Sequence, residues 1–163
     1  MENTPSTVKV DSKAEAGLTF FGVIEESRTF FPDERFHPTE RKSVNLEGLI
    51  DAHGYSISSK ADGTGTKPET AERLFDATGN IDWFEGPAHD VTAMNVDDNA
   101  RDGKFTLAVV NSLDVNSAEN KPFVAALARG QLAACKKARV ALLNGETAEL
   151  GARTPGYGKH HLN

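Results

Sequence analysis

The stretch Ser58-Ser59-Lys60-Ala61-Asp62-Gly63-Thr64-Gly65-Thr66-Lys67 brings phosphate-handling groups together. Gly63 and Gly65 let a backbone approach an anion closely and aim N–H groups at it. Thr64 and Thr66 add hydroxyl donors, and Lys67 adds a positive charge. Asp62, at the entry to the turn, can hold a metal ion against the same phosphates. The pattern matches neither standard phosphate fingerprint. Thr66 stands where a P-loop needs glycine before its lysine, and Pro68 where a dinucleotide motif needs a third glycine. Read alone, such a turn is an ordinary strand cap.

Two further carboxylates stand at element ends. Asp97 and Asp98 fall near the end of a helix expected over Ala88–Ala100, where an acidic pair faces an unfavourable dipole that a cation would relieve. A solvated acidic helix end is the plain alternative. Glu146 falls in Asn144-Gly145-Glu146-Thr147-Ala148-Glu149, read as a turn after a short apolar strand. If Asp62, Asp98 and Glu146 converge, they form an oxygen-rich Mg²⁺ site. Magnesium keeps several waters and takes one or two protein carboxylates plus phosphate oxygens, so several ions could share it.

The elements that must position these groups follow from the same pattern. Tyr55 and Ile57 alternate with polar residues, so residues 54–61 are expected as a strand entering the turn. Leu18 to Ile24 is β-prone, and residues 32–45, with Pro32, Pro38 and His37, read as a loop. Leu46 to Ile50 reads as a turn of helix. Pro68 suits the first turn of a helix reaching Ala77, with Leu74 and Phe75 inward and Gly79-Asn80 ending it. Residues 81–87 read as a loop in which Trp83 plugs the core, and His89 or Asp90 caps the next helix.

Phe105 to Val110 reads as a strand buried on both faces and closed by Asn111-Ser112. A helix follows with Pro122 in its first turn and runs to about Arg139. Its apolar stripe is Phe123, Leu127, Gly130 and Ala134, with Val124, Ala128 and Cys135 beside it. Gly130 in mid-helix implies close packing against a sheet, and Cys135 is a core residue rather than a nucleophile. Val140 to Leu143 is a second strand. The tail after Gly151 reads as loop, with His160-His161 in a disordered end.

Composition narrows the function classes. The chain has 163 residues, consistent with one domain, and a net charge of −6, which argues against nucleic-acid and membrane-surface binding. Cys135 has no partner cysteine, so no intrachain disulfide forms and a reducing, cytoplasmic setting is expected. The first residues lack the pattern of a signal peptide.

In chain order, Asp62 to Lys67, Met94-Asn95-Val96-Asp97-Asp98, Leu113-Asp114-Val115 and Gly145-Glu146-Thr147-Ala148-Glu149 resemble the first domain of phosphoribosylformylglycinamidine cyclo-ligase. The resemblance covers roughly residues 54–150. Residues 1–53 form a divergent N-terminal segment with a possible strand, and 151–163 a tail. It implies an α/β (α+β) fold with a mixed four-stranded sheet backed by helices, and a homodimer formed through that sheet. It also implies ATP and Mg²⁺, bound by Asp62, Gly63, Thr64, Gly65, Thr66, Lys67, Asp98, Asn144, Gly145 and Glu146, with Asp62, Asp98 and Glu146 nearest the metal.

The implied reaction closes formylglycinamidine ribonucleotide to aminoimidazole ribonucleotide in purine biosynthesis. The sequence departs from the family where Asn144 replaces a glycine, Asp97 an asparagine and Leu150-Gly151 a region with proline, in insertions between Lys67 and Asp90 and between Val115 and Gly130, and in a glycine-rich segment that is not recognisable before residue 54. The family carries a second domain of comparable size after this one, so three expectations stand: the sequence is a fragment, a separate second-domain chain supplies the rest, or the domain is a non-catalytic nucleotide-binding or dimerisation module.

Overall fold

The computed structural model describes residues 59–160, apart from Ala118, Pro155 and Gly158, together with Val23 and Glu26. Within them lie three helices, α1 (Lys67–Thr78), α2 (Glu85–Arg101) and α3 (Lys121–Ala138), and two strands, β1 (Ala108–Val115) and β2 (Ala141–Glu149). Short 3₁₀ turns occupy Ile81–Phe84 and Gly151–Arg153. The expectations for residues 32–45 and 46–50 lie outside the described residues. Val23 is helical and buried, which corrects the β reading of Leu18 to Ile24 at that residue.

The helices end where local chemistry ends them. Pro68 opens α1, and Gly79 closes it in the left-handed region (φ 69°), donating its N–H to Phe75 O at 2.7 Å. Pro68, Ala71 and Glu72 are its buried residues, while Leu74 is 37% exposed and does not turn inward as expected. The expected loop at residues 81–87 is instead a 3₁₀ turn running straight into α2. Asn80 opens that turn, its side-chain oxygen accepting from the Asp82 N–H at 3.0 Å. This cap upstream leaves His89 and Asp90 inside the helix rather than at its start. The core plug is Phe84, fully buried edge-on against Phe123 (4.8 Å) and Phe75 (6.3 Å). Trp83 is 43% exposed and spends its indole N–H on Thr78 Oγ1 at 3.0 Å.

Helix α3 is the most deeply buried element described, and all seven residues of the two expected stripes are buried. Burying large apolar side chains such as Phe123 or Leu127 contributes about 1.5–3 kcal/mol each. Gly130, however, meets α2 rather than a sheet. A Cβ there would lie 2.7 Å from the Glu85 carbonyl carbon and 2.8 Å from its Cα. Arg129 locks the same crossing, donating to Glu85 Oε1 and Asp82 Oδ1 at 2.7 Å each. These carboxylates raise the Arg129 pKa above its ordinary value, the Glu85 hydrogen bond most of all.

The strands pair in parallel, with α3 as the crossover that parallel pairing requires. Register runs from Ala108 opposite Ala141 to Val115 opposite Glu149, and Leu143 is an extra residue where it shifts. β1 begins and ends later than expected. Phe105 is 95% exposed and only leads in, and Asn111-Ser112 lie mid-strand. Pairing with β2 decides these limits. Val110 is 72% exposed, so β1 is not buried on both faces. Asn144 to Glu149 is strand and not turn.

The segment around His160 is packed, contrary to the expectation of a disordered end. Buried Glu72 accepts the backbone N–H groups of Lys159 (2.6 Å) and His160 (3.0 Å). The His160 ring stacks on Phe123 at 3.9 Å with Nδ1 2.9 Å from Asn120 Oδ1, and Arg73 lies 3.9 Å over the Tyr157 ring.

Two stability predictions follow from the α3 environment. Glycine to alanine usually favours a helix by about 1 kcal/mol. Gly130→Ala is expected to reverse that sign and destabilise by about 2 kcal/mol, since only backbone lies in the way; denaturant midpoints check this. Burial pushes the Cys135 thiol from its ordinary 9.0 up to about 12. Below pH 9.0 folded and unfolded chains both keep that proton. Between 9.0 and about 12 only the unfolded chain loses it, so stability falls as pH rises through this window. Unfolding curves above pH 9.0 should show that fall relative to curves below it, and the fall should be reduced in Cys135→Ala.

Candidate functional site

A cavity of about 600 Å³ is bounded by residues 59–64, one face of α2 and most of β1, with Pro68 of α1, Leu127 and Gln131 of α3 and Leu143 of β2 completing the wall. That volume is in the range of small-ligand pockets. The α2 face presents Ala88, Val91, Thr92, Asn95 and Asn99, the spacing of one helical side. Thr92 Oγ1 donates back to Ala88 O at 2.9 Å, so a buried hydroxyl is satisfied within the helix. Asn99 Nδ2 donates to Thr106 Oγ1 at 2.9 Å and ties the end of α2 to the approach to β1.

Residues 59–64 have no regular structure, so the expected strand does not continue through Ser59 to Ala61. The segment instead runs antiparallel along α2, held by polar ties. Lys60 Nζ pairs with Asp102 at 2.6 Å, and this lysine holds the Asp102 carboxyl below its ordinary pKa. Asn95 Nδ2 reaches Asp62 O at 3.5 Å while donating to Val91 O at 2.9 Å. Lys67 Nζ meets Asp90 Oδ2 and Met94 Sδ, both at 3.2 Å. Chain order 60, 62, 67 thus maps onto 102, 95, 90. The ties are half-exposed, so each contributes at most about 1 kcal/mol and can be exchanged for a ligand contact.

The expected site residues fall in three places. Asp62, Gly63 and Thr64 line the cavity. Asp62 Oδ1 accepts the Gly63 N–H at 2.8 Å, so the acidic group folds back on its own turn. Gly65, at φ 59°, and Thr66 turn the chain into the N-terminus of α1, with Lys67 as its first residue. Aligned peptide dipoles make such an end favourable for anions.

Asp98 stands on α2 one turn beyond Asn95 and lies 3.4 Å from Arg101. Asn144, Gly145 and Glu146 lie on β2, opposite Val110, Asn111 and Ser112. Asp98, Asn144, Gly145 and Glu146 are outside the cavity lining. Among the described residues, no three His, Cys, Asp or Glu side chains gather as a metal-holding group.

Sequence reasoning missed two lining residues. Gln131 is 95% buried yet lines the cavity, and its Oε1 accepts Asn111 Nδ2 at 3.0 Å. The signal was present: Gln131 interrupts the stripe Val124, Ala128, Cys135 at the position where an apolar residue is expected. Among the described residues no helix is long and apolar enough to cross a membrane.

Comparison with known proteins agrees with the reading of the motifs. Residues 47–160 match the family described as AIR synthase related protein, N-terminal domain. The phosphoribosylformylglycinamidine cyclo-ligase of Thermococcus gammatolerans is 32% identical over 148 residues, 90% of this chain and 42% of the relative. That of Thermoplasma acidophilum is 29% identical over 126 residues, 75% of this chain and 35% of the relative. That of Pyrococcus furiosus is 28% identical over 148 residues, 90% and 41% of the two chains. The chain spans less than half the length of these curated relatives. With the glycine–threonine turn, the acidic helix end and the Gly-Glu-Thr-Ala-Glu strand in the family order, the chain belongs to the AIR synthase related protein family, through its N-terminal domain.

Proposed function

We propose that the chain is the nucleotide-binding part of an ATP-dependent cyclo-ligase that closes formylglycinamidine ribonucleotide to aminoimidazole ribonucleotide. The observation that carries this reading is the placement of Asp62-Gly63-Thr64 in the cavity wall, immediately before the N-terminus of α1. Backbone amides of the turn, the α1 dipole and Lys67 would receive the triphosphate. Lys67 would leave its half-exposed pairing with Asp90 to do so. In the reaction the γ-phosphoryl passes to the formyl oxygen, an internal amine attacks the same carbon, and inorganic phosphate departs. The chain's contribution is positioning and charge stabilisation.

Oxygen-only donors at Asp62, Asp98 and Glu146 suit magnesium in chemistry, and one or two carboxylates suffice for it. When bound, magnesium would neutralise charge on the phosphates. Asp62 would turn its carboxylate from the Gly63 N–H, and Asp98 would exchange Arg101 for the ion. Glu146, on the exposed part of β2, would join from the strand side. The same reading takes the paired strands β1 and β2 as part of a mixed four-stranded sheet through which two copies would pair as a homodimer in the cytoplasm. The rest of the relatives' length would supply acceptor contacts, within the same polypeptide or from a partner chain.

Calorimetric titration of ATP with and without Mg²⁺ tests this. Binding is expected only with Mg²⁺, and Asp98→Asn or Asp62→Asn should weaken it about tenfold or more, about 1.4 kcal/mol, with circular dichroism unchanged. Equal affinity in both variants would remove the site assignment. Magnesium-dependent ATP binding without turnover, even with the rest of the relatives' length supplied, would leave a non-catalytic nucleotide-binding module.

A further inference from the structure

The Asn111–Gln131 pair is a polar feature that the phosphate-binding groups do not use. It joins β1 to α3 inside the cavity, among aliphatic walls that include Leu113, Leu127 and Leu143. Each carboxamide offers both donors and an acceptor. The one bond between them, Asn111 Nδ2 to Gln131 Oε1, leaves Asn111 Oδ1 as an acceptor and Gln131 Nε2 as a donor. Neither of these atoms has another hydrogen-bond partner among the described residues. Neither atom is a sealed, unmatched polar group; both residues line the cavity, where a group of complementary hydrogen-bonding character can meet these free ends.

We propose that this pair reads the edge of a nucleobase, as the specificity element of the nucleotide site assigned above, on which the inference rests. Adenine presents an N6 donor beside an N1 acceptor, the complement of Asn111 Oδ1 beside Gln131 Nε2. Turning both amide heads over exchanges donor and acceptor, so the pair also matches the reversed edge of hypoxanthine. What it rejects is a purine that lacks the exocyclic group. The aliphatic walls give a flat base an apolar bed, and the turn at Asp62 to Thr64, in the same cavity, faces the anionic part of the ligand.

The test uses the full chain with Mg²⁺ and four probes: ATP, ITP, purine riboside triphosphate and inorganic tripolyphosphate. ATP and ITP should bind alike, and purine riboside triphosphate about tenfold more weakly, the worth of a bidentate base contact. Asn111→Leu combined with Gln131→Met should erase that preference and leave tripolyphosphate affinity unchanged. Gln131→Met alone, closest in shape, serves if the double variant does not fold, and the wild-type series needs no variant. Tripolyphosphate binding with no preference among the three nucleotides, or a preference that survives the substitutions, overturns the base reading alone. Failure of every probe to bind overturns it together with the nucleotide site.

Discussion

The crossing of α2 over α3 at Gly130 is the constraint on which the described structure depends. Without a side chain at that point the helices approach to backbone contact, and Arg129 bridges the crossing to Asp82 and Glu85. Everything that shapes the cavity hangs on it. α3 brings Leu127 and Gln131 beneath β1, and α2 offers its Val91–Asn95 face from across the gap. Small-residue contacts of this kind are rigid, because close-packed backbone has no rotamers with which to adjust. The crossing therefore fixes the spacing of the cavity walls, while the segment of residues 59–64 before α1 is free of that restriction.

That segment is held by a different kind of force. Lys60 with Asp102, Asn95 with Asp62 and Lys67 with Asp90 are spaced polar ties on a partly exposed face. Packing supplies the frame and weak electrostatics lay the binding loop upon it. The division suits the nucleotide site proposed above, since half-exposed ion pairs exchange at little cost. It also leaves Asp62 and Asp98 each occupied by a neighbour that charge alone can displace.

Helices α1 and α3 were legible in the sequence because their signals are local: Pro68, Gly79 and Pro122 act within one turn of themselves. The strands were not, because their limits come from pairing. Phe105 is apolar and β-prone yet leads in to the strand, whereas Asn111, Ser112 and Asn144 look like turn formers and lie within the ladder. Trp83 and Phe84 show the same limit in the core. Both are large and apolar, and the 3₁₀ turn buries the second and leaves the first on the surface. The turn leading into α1 could be read from glycines and threonines adjacent in sequence. The Asn111–Gln131 contact joins residues twenty positions apart, and only the strand register and the helix crossing together bring them to one cavity.

The clasp between Glu72 and the chain at Lys159 and His160 has an evolutionary consequence. Its acceptor is one carboxylate, but its donors are main-chain amides, which every amino acid except proline supplies. Lineages can therefore replace Lys159 freely without loosening this anchor, whereas Glu72 has no such latitude. Drift should accumulate on one side of the contact and stop at the other.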